Sequence, residues 1–306
     1  MKVFHLLILF LIGISFELVE VAGDYAAAVV NHDVYLGNSQ DSPQFLLDVN
    51  IELYENLTAL AALNQAQVIV FPEFGLTPVE PTSREDVYPF IENIPESDED
   101  AIPCLEAETF NDRPILYRMS CAARNHGILT MVNMIDKQVC SKADSNCPDD
   151  GHYQYNTDVV FDESGIIVAK YHKTHEWIPL LKVYNQPSTS SHITYKSNKL
   201  GVTFGLFICF DIMFPDPAKV LVDQGIQHFM YAVQQAYIGD ATIIKRWSDT
   251  NHAVVLAANA NFGGRNGTIG NFSRVFVDGN VIRGEKYSLM INEFSYENIE
   301  IVSVPT

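Results

Sequence analysis

The sequence predicts a sheet-rich α/β protein. Amphipathic segments with helical spacing alternate along the chain with short runs of β-branched and aromatic residues. Tight turns such as the Glu-Ser-Gly at 163–165 and the Asp-Gly at 278–279 join some of these runs into hairpins. The chain has 306 residues, of which 47% are apolar and 19% charged. It is therefore globular and long enough for one large α/β domain or two small ones.

The predicted elements follow one another in a regular order. In sequence they are a strand over 25–37, a helix over 42–66, a strand over 67–75, a helix over 113–126, a strand over 127–135, a hairpin over 157–173, a strand over 201–208, a short helix ending at Gly225, a strand over 226–233, a helix over 241–253, a strand over 254–261 and a hairpin over 271–285. Repeated strand-to-helix connections of this kind are typical of sheets with helices on their faces.

The segment after the strand over 201–208 has the signals of a turn into a helix. The strand stops at Cys209, and we expect Asp216 to cap the following helix, Pro217 to occupy its first position and Gly225 to end it. Cys209 is thus predicted to lie at an elbow between a strand and a helix. Backbone N–H groups at such an elbow favour the thiolate form of a cysteine.

The net charge excludes one class of partner. The formal charge is −19 at pH 7 and the isoelectric point is near 4.7. Such a chain repels phosphate backbones and anionic lipid headgroups. We therefore expect no nucleic acid partner.

The N-terminus has the pattern of a secretory signal peptide. Residues 1–23 combine a basic residue at Lys2, an apolar core over 6–12 and small residues at Ala22 and Gly23. The alternative is an uncleaved membrane anchor. The C-terminus carries no long apolar tail of the kind that a glycosylphosphatidylinositol signal needs. We expect a secreted protein, residues 24–306, with no stable membrane span after removal of the signal.

Three acceptor sequons, at Asn56, Asn266 and Asn271, are consistent with N-glycosylation on the secretory route.

The cysteine count singles out one thiol. An oxidising compartment pairs thiols, and five cysteines leave one over. Cys209 stands alone in an apolar run, whereas the other four lie in more polar segments and are candidates for disulfides; they are Cys104, Cys121, Cys140 and Cys147. Four cysteines allow three connectivities, which the sequence leaves open. A free thiol in a secreted protein indicates a nucleophile; the alternative is a small buried apolar residue.

Two further strand ends carry the chemistry that such a nucleophile needs. Glu73 follows the strand over 67–75 and Lys173 closes the hairpin over 157–173. A carboxylate can take the proton of a thiol and return one to a departing amine, and an ammonium can face the developing oxyanion. The backbone N–H of Phe210 is a candidate for the second oxyanion donor. We therefore predict that Glu73, Lys173 and Cys209 form a catalytic set for amide cleavage.

The segments around these residues resemble a known family. FPEFG at 71–75, KYHK at 170–173 and FICFDIMF at 207–214 are similar to the Glu, Lys and Cys segments of the nitrilase or carbon–nitrogen hydrolase superfamily. Further stretches, such as VYPFIENIP and CPDDGHYQYNTDVVF, are similar to its biotinidase and vanin branch and occur in the same order.

The resemblance implies a four-layer αββα sandwich without metal or organic cofactor. It implies hydrolysis of a small linear amide through a cysteine thioester, with Glu73 as general base and acid, Lys173 as oxyanion stabiliser and Cys209 as nucleophile. Pantetheine, cleaved to pantothenate and cysteamine, and a biotinyl amide such as biocytin are the implied substrates. The resemblance is also compatible with a homodimer.

The chain departs from this branch in three places. Relatives carry a second glutamate shortly after the lysine, where this chain has Leu180 or Leu181; Glu176 lies earlier in the sequence and is the auxiliary candidate. The segment over 231–240 replaces a proline- and tryptophan-containing stretch that is usual in vanins. The sequence also stops where vanins continue into a further C-terminal domain.

Three alternatives follow from these observations. The first is a secreted pseudoenzyme that keeps the fold and a binding role. The second is a zinc site formed by His172, His175 and Glu176. The third is a structural protein that uses Cys209 in an intermolecular disulfide.

Overall fold

The computed structural model describes residues 24–234, 238–262, 273–292 and 295–306. The strands are β1 (Tyr25–Val34), β2 (Val68–Val70), β3 (Ile91–Glu92), β4 (Leu129–Val139), β5 (His152–Phe161), β6 (Ile167–His172), β7 (Thr194–Ser197), β8 (Val202–Ile208), β9 (His228–Gln234), β10 (Val254–Phe262), β11 (Arg274–Val277), β12 (Asn280–Ile282), β13 (Glu285–Asn292) and β14 (Ser295–Val304). The α-helices are α1 (Pro43–Leu63), α2 (Arg84–Val87), α3 (Pro114–His126), α4 (Val220–Asp223) and α5 (Ile238–Asn251).

The strands form one continuous sheet in the order β6-β5-β4-β2-β1-β10-β9-β8-β7. At its centre, β1 pairs in parallel with β2 over Ala27–Val29 and with β10 over Asn31–Val34. The pairs β4–β5, β5–β6 and β7–β8 are antiparallel, so hairpins lie toward both ends of the sheet. The two ends fold toward each other, because residues from both halves share one apolar core.

Alternation along the strands separates this central core from an outer one. In β1, Val29 packs in the central core with Leu206 of β8 and Met230 of β9. Its neighbour Val30 points to the other face and packs in the outer core that includes α1 and α3. The two halves of the sheet therefore face each other, with a helical layer outside the first half.

The second half of the sheet has its own helical layer. Phe229 of β9 points away from the central core and packs with Leu221 of α4 and Ile244 of α5. Helices, sheet, sheet and helices thus make four layers. The αββα sandwich that the resemblance implies is confirmed.

Helix α1 begins at a capping serine and a proline. The side chain of Ser42 accepts a hydrogen bond from the backbone N–H of Phe45, and Pro43 occupies the first turn. Its buried face includes the apolar residues Leu47, Ile51, Tyr54, Leu57 and Ala61, which recur every three or four positions.

The prediction for Asp216 is wrong. Its extended backbone (φ −103°, ψ 130°) fits a residue directly before a helix, but its carboxylate accepts a hydrogen bond from Ser190 Oγ and contacts His192 Nε2, both at 2.7 Å, instead of accepting from a helix N–H. The contacts with Ser190 and His192 therefore hold the carboxylate away from the helix. Gly225 does end the helical stretch, in the left-handed conformation.

Two disulfides are present, Cys104–Cys121 and Cys140–Cys147, and Cys209 has a free thiol. This selects one of the three connectivities. Across the described part of the chain, no helix combines the length and apolar character that crossing a membrane requires. Residues 1–23, with the predicted signal peptide, lie outside the described residues, as do Asn266 and Asn271; Asn56 is exposed on α1.

Helix α1 offers a matched pair of leucines for measuring the outer core. Leu57 is fully buried, whereas Leu63 is 80% exposed. We expect Leu57→Ala to lower the free energy of unfolding by about 2–5 kcal/mol, because it leaves a cavity against the sheet. Leu63→Ala should change it by less than about 0.5 kcal/mol. Denaturant unfolding of both variants measures the difference, and equal effects would contradict the packing described for α1.

Candidate active site

Three strand ends meet around one cavity. Glu73 lies three residues after β2, Lys173 directly follows β6 and Cys209 directly follows β8. All three line a cavity of about 390 Å³. The two sheet halves face each other, so strand ends that are 100 and 136 positions apart from Glu73 in sequence come together there.

The turn that carries Glu73 is held in an uncommon conformation. Phe74 has a φ of 58°, its backbone N–H donates to Asn133 Oδ1 at 2.9 Å, and its ring stacks on Tyr184. A Cβ on Gly75 would lie 1.8 Å from the hydroxyl of Tyr54. The glycine after Phe74 is thus required by close packing.

The elbow at Cys209 is held by Asp211. Cys209 has a φ of 43° and begins a short 3-10 helix, Cys209–Met213. Asp211 Oδ2 accepts hydrogen bonds from the backbone N–H of Ile208 at 3.0 Å and from the hydroxyl of Tyr171 at 2.8 Å. Its Oδ1 accepts from the backbone N–H of His175 at 2.8 Å. Asp211 therefore ties the elbow to the segment around Lys173.

Lys173 is buried between two carboxylates. Its Nζ donates to Glu73 Oε1 at 2.6 Å and lies 3.6 Å from Glu176 Oε2. Burial disfavours the ammonium, but the negative charges of Glu176 and Glu73 more than offset burial and raise the pKa of Lys173 well above its usual range. Lys173 therefore remains a cation throughout the physiological pH range.

Glu73 is oriented from behind by two asparagines. Its Oε1 also accepts a hydrogen bond from Asn156 Nδ2 at 2.8 Å, and Asn156 Oδ1 accepts one from Asn133 Nδ2 at 2.8 Å. Because Asn133 also accepts from the backbone of Phe74, one amide positions both the Glu73 turn and the Glu73 side chain. The sequence interpretation missed both asparagines and Asp211. Their signal was a polar residue inside or directly after an apolar strand.

Glu176 lies beside Lys173 although it follows it by only three positions. The chain bends at 174–175, which brings the carboxylate back to the ammonium. Burial is the main cause that raises the pKa of Glu176 to about 7; Lys173 opposes the shift, and Glu73 and Asp211 add to it. Leu180, where relatives were expected to carry the glutamate, lines the cavity.

The thiol of Cys209 is protonated in the resting site. Burial raises the pKa of Cys209 well above its usual range, and the negative charge of the nearby Glu73 carboxylate raises it further. Lys173 and a backbone hydrogen bond from Gln234 act in the opposite direction but do not outweigh these causes. The expectation that the elbow would favour a thiolate is therefore wrong, because desolvation and a neighbouring anion dominate.

The rest of the cavity is mainly apolar. Trp177 and Leu180 form one wall, and Phe210, Ile212 and Met213 of the 3-10 helix form a second. A third wall comes from β9 and α5, with Val233, Ile243 and Ile244. Tyr231 and Gln234 of β9 also line the cavity, so the β9 end of the divergent segment over 231–240 contributes to it; residues 235–237 lie outside the described residues.

The residues suggested for zinc do not converge. His172 Nε2 contacts Asp136 Oδ2 at 2.8 Å, whereas His175 Nδ1 contacts Asp211 Oδ1 at 3.1 Å. Within the residues that the structure describes, no group of three or more His, Cys, Asp or Glu side chains has the arrangement of a metal site.

A four-layer αββα sandwich with a thiol, a carboxylate and an ammonium around one cavity has the composition of a thiol-dependent amide hydrolase. Residues 27–264 match the sequence profile of the carbon–nitrogen hydrolase family. The chain belongs to this family.

Curated relatives include two kinds of amidohydrolase. Pantetheinase of Mus musculus is 39% identical over 198 residues, which are 65% of this chain and 38% of that protein. Biotinidase of Takifugu rubripes is 34% identical over 220 residues, which are 69% of this chain and 43% of that protein. The chain thus spans about two fifths of the length of these relatives.

Solved structures support the fold. An amidase from Nesterenkonia sp. superposes with a TM-score of 0.61 at 17% sequence identity, covering 93% of this chain and 91% of that one.

The electrostatics of the site predict how the thiol responds to loss of the carboxylate. Glu73→Gln removes the anion that raises the pKa of Cys209 and leaves Lys173 less neutralised. We expect iodoacetamide to alkylate this variant faster than the native protein near pH 7.5, by about tenfold for each unit by which the pKa falls. The measurement is the alkylation rate against pH, with mass spectrometry of the Cys209 peptide.

Glu85→Gln, at an exposed glutamate outside the cavity, is the matched control and should leave the rate unchanged. A slower reaction of Glu73→Gln would show that Glu73 activates the resting thiol and would contradict the electrostatics described here.

Proposed function

We propose that this protein is an amidohydrolase that cleaves a linear, non-peptide amide through a thioester on Cys209. The observation that carries the proposal is the shared cavity of Cys209, Glu73 and Lys173, in which Lys173 Nζ donates to Glu73 Oε1 at 2.6 Å and the thiol lines the same cavity.

The first half-reaction follows from these contacts. Glu73 accepts the thiol proton as the sulfur attacks the amide carbonyl, so the anion forms only when an electrophile is present. The developing oxyanion is faced by Lys173 and by the backbone N–H of Phe210. Phe210 is the second residue of its 3-10 helix, and its N–H has no carbonyl partner within that helix. The C–N bond then breaks, and Glu73 returns the proton to the departing amine.

The second half-reaction reverses the roles. Water enters where the amine left, Glu73 takes its proton, and the hydroxide attacks the thioester carbonyl. The C–S bond breaks and Glu73 returns a proton to the sulfur, which restores the thiol and releases the acid. Every step uses side chains of this protein and one water molecule.

Glu176 supports the cation in this scheme. With Glu73 alternating between carboxylate and carboxylic acid, Lys173 would lose its counter-charge each time Glu73 is protonated. Glu176 lies 3.6 Å from Nζ and can supply the second negative charge in that phase. This arrangement favours an active enzyme over the pseudoenzyme alternative, because the buried ammonium has a partner at every step.

The similarity to pantetheinase and biotinidase supports two substrates. Pantetheine, cleaved to pantothenate and cysteamine, and a biotinyl amide such as biocytin are both linear amides that the mechanism can process. Either one requires only that the carbonyl carbon reaches Cys209 Sγ with its oxygen toward Lys173.

We further propose a secretory setting. The signal pattern over 1–23, the two disulfides and the exposed sequon at Asn56 support a secreted domain over 24–306, with Asn266 and Asn271 as further glycosylation candidates. A homodimer is part of this proposal through the family resemblance. The mass of the secreted protein tests removal of residues 1–23. The mass before and after deglycosylation tests the glycosylation, and the mass under non-dissociating conditions tests the homodimer.

The catalytic proposal is tested with purified protein and both amides. We expect release of cysteamine from pantetheine or of biotin from biocytin, and Cys209→Ala should reduce kcat/KM by about 10³-fold or more. Glu73→Gln should also abolish turnover, because the leaving amine has no proton donor, even though its thiol is more reactive toward iodoacetamide.

Glu85→Gln serves again as the control for the loss of one carboxylate. If native protein with a titratable Cys209 thiol hydrolyses neither amide, yet binds one of them, the binding-only alternative is correct.

We expect the titration of Glu176 to affect the dependence of kcat/KM on pH. Its pKa is near 7 in the free protein, and its charged form holds the Lys173 ammonium, so kcat/KM should rise with pH through about 7. In Glu176→Gln this limb should disappear while turnover persists at a reduced level. A limb near pH 7 that is unchanged in Glu176→Gln would assign the titration to another group.

A further inference from the structure

The cavity beside Cys209 has few charged or polar side chains that are available to a substrate. Among the described residues that line it, the charged side chains are Glu73 and Lys173, and these bind each other at 2.6 Å. The Tyr231 hydroxyl donates to the backbone oxygen of Cys209 at 2.9 Å. Among the described lining residues, Gln234, the indole N–H of Trp177 and the acceptor side of the Tyr231 hydroxyl are the polar groups outside the reaction centre that can address a substrate.

We propose that the acyl half of the substrate is an uncharged, apolar chain. The proposal rests on the amidohydrolase function proposed above and adds which half of the amide the apolar walls select. A thioester keeps the acyl group attached to Cys209 Sγ after the amine has left. The walls around that sulfur therefore contact the acyl group through both half-reactions.

The walls have the depth and the opening that a chain requires. Leu180, Ile212 and Ile244 surround the interior, where each buried methylene gains the free energy of transfer from water. Trp177 and Met213 also line the cavity but are 50% and 54% exposed, so they form its mouth. The Trp177 ring meets Phe210 edge to face, with centroids 5.1 Å apart, which fixes an apolar rim.

The same walls disfavour a hydroxylated acyl group. A hydroxyl that enters an apolar cavity without a partner loses its hydrogen bonds to water. The few polar groups of the lining lie beside extensive apolar walls, whereas the pantothenoyl group carries two hydroxyls and an internal amide that all need partners. An alkyl chain, or the alkyl arm of a biotinyl group, meets the walls without this cost.

The test varies the acyl group on one amine. N-butanoyl-, N-hexanoyl- and N-octanoylcysteamine are compared with pantetheine, which releases the same cysteamine, by mass spectrometry of the amine. We expect kcat/KM to rise with chain length by up to about fourfold per buried methylene and to exceed the value for pantetheine. A flat series, or pantetheine as the best substrate, would overturn the proposal.

Substitutions at the mouth of the cavity test whether its apolar walls cause the dependence of kcat/KM on acyl chain length. Trp177→Ser and Met213→Ser should reduce the octanoyl-to-butanoyl ratio of kcat/KM at least about threefold, because each replaces apolar contact with a hydroxyl. Leu63→Ser, at an exposed leucine of α1 that does not line the cavity, should keep the native ratio. A ratio unchanged in both mouth variants would place the acyl chain elsewhere.

Binding without chemistry separates this proposal from the catalytic one. Cys209→Ala is titrated calorimetrically with butanamide, hexanamide and octanamide, and the dissociation constant should fall along the series with a negative heat-capacity change. Chain-dependent binding combined with absent turnover in the native protein would overturn the amidohydrolase function and keep the apolar site. Turnover without chain-dependent binding would keep the amidohydrolase function and overturn the apolar acyl site.

Discussion

The buried ion pair between Lys173 and Glu73 is the interaction on which the site depends. Both side chains are about 1% exposed, so each would be a strongly unfavourable charge without the other. Breaking such a pair by removing one partner typically costs about 3–5 kcal/mol. The pair also joins two segments that are 100 positions apart in the chain. The same contact therefore holds the strand ends together and sets the electrostatics of the thiol.

The supporting hydrogen bonds extend this constraint into both halves of the sheet. Asn133 and Asn156 lie on β4 and β5 and fix Glu73, whereas Asp211 fixes the elbow after β8 and contacts the segment around Lys173. Removal of the glutamate alone would take a hydrogen-bond acceptor from the buried Asn156 Nδ2. The site is for this reason part of the folded core and not an addition to its surface.

Much of the site was predictable because its signals are local. Glu73, Lys173 and Cys209 each follow a run of strand-forming residues, and the free thiol follows from an odd cysteine count. The supporting residues were not predictable in the same way, since Asn133 and Asp211 act through partners 59 and 36 positions away. The raised pKa of Cys209 also depends on burial and on Glu73, neither of which the elbow sequence reveals.

The fold, too, was predictable only in part from the sequence. The alternation of helices and strands was predicted, but β13 and β14 were not, because their sequence at 285–304 is rich in charged and polar residues. Strand β14 pairs antiparallel with β1 over Tyr25–Asn31, so the last described strand lies beside the first. A pairing across 267 to 279 positions leaves no periodic signal within either segment.

A protonated sulfur has a consequence for the lifetime of the protein. Oxidation to sulfenic acid and exchange with small disulfides both proceed through the thiolate, whose population falls as the pKa rises. Cys209 in its resting form is therefore a poor target for peroxide and oxidised glutathione. The buried position and the neighbouring Glu73 carboxylate thus protect the unpaired cysteine from oxidation.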